Sequence, residues 1–118
     1  MLVEIITIFF VLIFAHAVGD FAIQSDKMAI LKNPNNMPAS FAGMLSNEWW
    51  VWFLSAHAII HGGLVFMATQ SLLIGVLEVV VHWIVDLLKC KKFLTIKTDQ
   101  YLHIISKVIW SVMYINLK

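Results

Sequence analysis

Every histidine in this 118-residue chain stands four positions from another histidine or from a carboxylate. The pairs are His16 with Asp20, His57 with His61, His82 with both Glu78 and Asp86, and His103 with Asp99. Four residues advance an α-helix by about one turn, so the two members of each pair project from one face, only about 40° apart. Paired imidazole and carboxylate ligands at this spacing on facing helices are how helical bundles build metal sites, and His-x3-His is a zinc-binding geometry. The chemistry this predicts is the binding of one or two divalent cations by His16, Asp20, His57, His61, His82, Asp86, His103 and Asp99. Zinc is the first choice, although iron, nickel and manganese also accept such ligands.

A bound cation of this kind lowers the pKa of its water toward about 7 and supplies a nucleophile for hydrolysis. Glu78 is then the candidate general base, and Lys107 the candidate for stabilising charge on a leaving oxygen. Gln24, Gln100 and Lys89 share faces with the ligands and are placed either to orient an imidazole from behind or to meet substrate. No serine or cysteine has a spacing that suggests covalent catalysis; Ser55 and Ser106 read as helix-packing residues. A plainer reading stands beside this one, in which polar side chains only hydrogen-bond between helices at about 0.6 kcal/mol each. Nine potential ligands in four sets are more than helix association requires. Asp99 also has a simpler explanation, since Thr98 or Asp99 would cap a helix. Lys89, at a helix end, can equally reach toward lipid phosphate.

The elements that must position these residues follow from composition. Hydrophobic residues make up 61% of the chain and charged residues 13%, and the mean hydropathy is +0.87. That balance suits lipid as solvent, and the length allows one domain, residues 1–118. Residues 2–22 form an apolar run that spans about 31 Å as a helix, one bilayer. Glu4 in place of a basic start argues against a cleaved signal peptide, despite Ala15-His16-Ala17. Residues 23–48, with Asn33-Pro34-Asn35-Asn36, Pro38 and Gly43, read as a loop lying partly in the interface with one short helix. The Trp49-Trp50-Val51-Trp52 cluster marks a headgroup level and opens a second span, 49–68. A polar link, Thr69-Gln70-Ser71, leads to a third at 72–88, and a fourth covers 101–117. The expected fold is all-α, a four-helix transmembrane bundle with a polar His/Asp/Glu cluster in its interior.

Lysines fall in the loops 23–48 and 89–98 and not in the middle link. The positive-inside bias then places both loops in the cytoplasm and both chain ends on the outer side of a bacterial inner membrane. The basic residues are all lysines, so the guanidinium forks common in nucleic-acid recognition are missing and no nucleic-acid partner is expected. The expected partners are membrane lipids and a second copy of the chain. Cys90 has no second cysteine to pair with.

The ordered motifs His16-x3-Asp20-Phe21-x2-Gln24, His57-x3-His61, Glu78-x3-His82-x3-Asp86-x2-Lys89 and Asp99-Gln100-x2-His103 cover nearly the whole chain. In them it resembles an uncharacterised family of small bacterial and phage integral membrane proteins, a domain of unknown function. The resemblance implies membrane location and a shared polar site, and brings no activity with it. The scatter of His and Asp over a few spans is also loosely similar to longer, membrane-bound metal-dependent hydrolases of bacteria. Three functions therefore remain open: a metal-dependent hydrolase acting on a lipid or lipid-linked phosphoester or ester, a transporter or relay for protons or divalent metal, and a non-enzymatic phage or host membrane factor with a structural polar core.

Overall fold

The computed structural model describes residues 1–36 and 48–118; residues 37–47, including Pro38 and Gly43 of the expected interfacial loop, lie outside the described residues. Among the described residues all regular structure is helical. Helix α1, Leu2–Ala17, runs straight on into one π-helical turn, Val18–Ala22, closed by the Ile23 N–H donating to the Val18 carbonyl. The short helix α2, Asp26–Leu31, starts at Ser25, whose hydroxyl accepts from the Met28 N–H. Helix α3, Trp49–Thr69, ends on Gln70 in the left-handed region (φ 54°), and Ser71 caps helix α4, Leu72–Cys90. That tight link makes α3 and α4 the hairpin expected from Thr69-Gln70-Ser71.

Helix α5, Ile96–Leu117, begins earlier than expected. Its cap is Thr95, whose hydroxyl accepts from the Thr98 N–H at 3.2 Å. This corrects the expectation of a cap at Thr98 or Asp99. With Thr95 serving the free N–H groups, Asp99 enters the first turn and turns into the bundle, where it is fully buried.

The four long helices form a closed ring in which α1 touches α3 and α5, and α4 touches the same two; α2 lies against α3. Helices α3 and α4 approach closely at Gly62 and Gly75, where a Cβ on Gly62 would strike Val79 and the Gly75 carbonyl oxygen. Gly63 has open space around it, so only the first glycine of the pair serves this contact. Where α1 starts and α3 ends, the interior is apolar: Ile8, Leu12, Val65, Ile74 and Trp110. Toward the other end it is polar, while the outside of the bundle is apolar, with Phe10 70% and Phe14 62% exposed and Ile84, Val108 and Val112 also facing out.

By length and composition, two helical stretches can cross a membrane, Leu2–Ala22 and Trp49–Thr69. Helices α4 and α5 are as long but carry more charge within them, Glu78, Asp86 and Lys89 on one and Lys97, Asp99 and Lys107 on the other. Of these, Glu78, Asp86, Asp99 and Lys107 are buried in the polar interior, whereas Lys97 is exposed.

Candidate metal centre

The four long helices bring their polar sets to one end of the ring because α1 and α4 run toward it and α3 and α5 run away from it. Asp20 sits in the π-helical turn that follows α1, a local widening that often re-aims side chains at functional sites. Directly beside it Gly19 leaves room for the His61 ring, which a Cβ at that position would overlap. His57 and His61 come from the middle of α3, and His82 from just past the middle of α4.

These four residues each bring one ligand atom within 4.8 Å of the other three. Asp20 Oδ1 lies 3.0 Å from His61 Nε2, 3.2 Å from His57 Nε2 and 3.8 Å from His82 Nε2. His57 Nε2 and His82 Nε2 are 3.2 Å apart. A tetrahedron of ligands bonded at 2.0–2.1 Å to zinc has edges of about 3.3–3.4 Å, close to the mean of these separations. Among the described residues, Asp20 Oδ1 and His61 Nε2 are also both buried without a hydrogen-bond partner, despite their proximity. Two lone pairs aimed at a third point give that combination, whereas a hydrogen bond would align one atom's proton on the other. The donor set of three imidazoles and one carboxylate fits a divalent cation such as zinc.

Groups behind the ligands orient His82 and Asp20. His82 Nδ1 lies 3.3 Å from Glu78 Oε1, so its N–H donates there and Nε2 is left with the lone pair. Glu78 is itself locked: Lys107 Nζ donates to Oε1 at 2.6 Å and Trp110 Nε1 to Oε2 at 2.6 Å, with the carboxylate fully buried. Gln100 Nε2 donates to Asp20 Oδ2 and to Asp99 Oδ2, both at 3.1 Å, which turns its Oε1 toward His16 Nε2 at 3.2 Å. Among the described residues, Gln24 donates only to the Asp20 backbone carbonyl.

Charge is divided unevenly. Lys32 Nζ meets Asp86 Oδ2 at 2.6 Å, and Lys89 Nζ meets Asp86 Oδ1 at 2.7 Å and Asp99 Oδ2 at 3.4 Å. Asp86, expected as a ligand, thus has an ammonium on each oxygen, although Oδ2 is also 3.5 Å from His57 Nε2. Besides Lys107 on Glu78, Lys32 and Lys89 offset the buried acids. Lys32, buried at 3% exposure, was missed because it follows α2 in a segment with no helical register to tie it to the cluster. Asp20 is the exception, its carboxylate surrounded by His16, His57, His61 and His82.

His103 does not join the Asp20 group. It belongs to two others, with His16 and His82 and with Asp86 and Asp99. From outside, a pocket of about 380 Å³ lined by Asp20, Gln24, Lys32, Lys89, Asp99 and Gln100 leads to the cluster, with Phe21 and Ile96 on its wall. Ser55 accepts from the Trp83 indole, a contact between α3 and α4.

The chain belongs to the family described as Protein of unknown function (DUF3307), whose model matches residues 8–118. Neither a curated protein nor a solved structure matches it.

Proposed function

We propose that this protein is a membrane-embedded, zinc-dependent hydrolase of a lipid or lipid-linked phosphoester or ester, with the ion held by Asp20, His57, His61 and His82. The observation that carries the reading is the convergence of those four ligand atoms, all within 4.8 Å of one another and with four of their separations at 3.0–3.8 Å. Supporting the membrane setting is the inverted character of the bundle, apolar outside and charged within. All four long helices then span the bilayer, with the lysine-rich loops on the cytoplasmic side and both chain ends outside.

Asp20 is the ligand that also lines the pocket, so water and substrate reach the ion beside it. A divalent cation held by Asp20, His57, His61 and His82 would supply an acidified water as nucleophile at neutral pH. The water oxygen bonds to the phosphorus or carbonyl carbon, the bond to the leaving oxygen breaks, and the proton lost by water passes to that oxygen. Lys89, about a quarter exposed at the pocket, takes the role of meeting an anionic group that the sequence suggested for Lys107. Glu78, with its oxygens held by Lys107, Trp110 and His82, acts as a positioning residue for His82 instead of the general base.

A second reading, a proton relay, is favoured by the contiguous rings of the five histidines, with His61 on His82 at 3.7 Å and His82 on His103 at 4.2 Å between centroids. The two separate on one preparation. Protein purified in detergent should hold at least one equivalent of zinc, lose it on His57→Ala, and release phosphate or alcohol from phospholipid or polyprenyl-phosphate micelles only when loaded. Metal-free protein that carries protons across liposomes would support the relay. Protein with neither metal nor flux would leave the cluster as a structural core, with lipids or a second copy of the chain as its partners.

A further inference from the structure

The two oxygens of Asp20 have different surroundings. Oδ1 lies 3.0, 3.2 and 3.8 Å from the Nε2 atoms of His61, His57 and His82. Oδ2 is held by another pair of residues: the Gln100 amide nitrogen donates to it at 3.1 Å, and His16 Nε2 stands 3.4 Å away.

The orientation of that amide follows from its neighbours. Gln100 Nε2 carries two hydrogens and meets two carboxylate oxygens, Asp20 Oδ2 and Asp99 Oδ2, both at 3.1 Å. Turned over, the amide would set its own oxygen against both carboxylates, lone pair against lone pair. Gln100 Oε1 is therefore the acceptor, and His16 Nε2, 3.2 Å from it, carries the proton. His16, expected as a ligand, stands outside the group formed by Asp20, His57, His61 and His82 and holds the far end of Gln100 instead. Asp99 Oδ2 is anchored in turn by Lys89 Nζ at 3.4 Å, so the amide is tied on three sides.

A carboxylate binds a cation through one oxygen or through both. With Oδ2 taken by the Gln100 N–H, Asp20 has only Oδ1 to give. The difference matters for catalysis, because a hydrolytic ion needs a position beyond its protein ligands for water. Three imidazoles and one carboxylate oxygen leave that position; the second Asp20 oxygen would fill it. We propose that Gln100, oriented by His16, is the positioning residue that keeps Asp20 a one-oxygen ligand and so keeps a place on the ion open toward the pocket. The proposal rests on the hydrolase reading, which supplies the ion.

The test uses the full chain in detergent, loaded with one equivalent of cobalt(II) and titrated with azide, a small anion that binds only where the metal has an open position. Visible absorption reads the azide, and metal analysis after desalting reads the cobalt. Wild type should bind both. Gln100→Leu should retain its cobalt, which reports an intact fold, and bind azide about 10- to 100-fold more weakly. Gln100 lines the pocket and His16 does not, so variants of His16 separate positioning from a change in the pocket wall. His16→Phe should weaken azide while keeping cobalt, and His16→Gln, which retains an N–H near the place of Nε2, should restore it. No cobalt in wild type would overturn the ion site and this proposal together. Cobalt retained with azide affinity unchanged in Gln100→Leu and His16→Phe would overturn the positioning role and leave the ion site standing. Loss of cobalt from both variants would also overturn it, as would equal loss of azide from His16→Phe and His16→Gln.

Discussion

The two ends of the bundle are enclosed by the same four helices and are equally buried, yet they are built from opposite materials. One end holds Ile8, Leu12, Val65 and Ile74, with no charge to compensate. The other holds Asp20, Glu78, Asp86 and Asp99 with Lys32, Lys89, Lys107 and five histidines. The apolar end shows that this helix ring closes without charges, so closing the ring does not explain the polar end. Within that end, Glu78, Asp86 and Asp99 each have a lysine within 3.4 Å. Asp20 has histidines, and that is where ligand atoms converge at metal-like spacing.

The comparison is broken most severely by unpairing a buried charge. Lys107→Met should cost about 3–5 kcal/mol, because Glu78 is left buried without its cation, and adding Glu78→Gln should recover much of that. Denaturation in detergent reads both; a single mutant as stable as wild type would mean that Glu78 is already neutral. At the apolar end, Leu12→Ala should cost about 2–5 kcal/mol in the same assay with zinc stoichiometry unchanged. Loss of metal on Leu12→Ala would show that the ends are not separable.

Gly19→Ala pushes the His61 ring from its place and should weaken zinc by about 10- to 100-fold, read by competition with a chelating dye. Unaltered affinity would remove His61 from the site. The smallest effect belongs to the exposed Lys118–Glu4 pair that joins the chain ends. Lys118→Ala should leave stability and metal binding within error, since exposed ion pairs contribute little.

Much of the helical layout was legible from spacing. The four sets at one-turn intervals, the α3–α4 hairpin and the coming together of the sets at one end follow from periodicity and from which way each helix runs. What was hidden depends on contacts that periodicity does not encode. Lys32 reaches Asp86 from outside any regular helix, and Thr95 captures the cap of α5 three residues before the expected position. The π-helical turn at Asp20 shifts the register of a run that reads as plain α-helix. Glu78 shares a face with His82 and Lys107 with Trp110, but that both cation and indole close on the same carboxylate is visible only in three dimensions.

The central claim, a cation held by three imidazoles and one carboxylate, is tested most directly by zinc K-edge absorption on the detergent-solubilised protein loaded with one equivalent. Expected is a four-coordinate shell of nitrogen and oxygen at about 2.0–2.1 Å with the multiple scattering of three imidazoles, reduced to two in His82→Ala. An all-oxygen shell without imidazole scattering, or a spectrum that His82→Ala leaves unchanged, would contradict it.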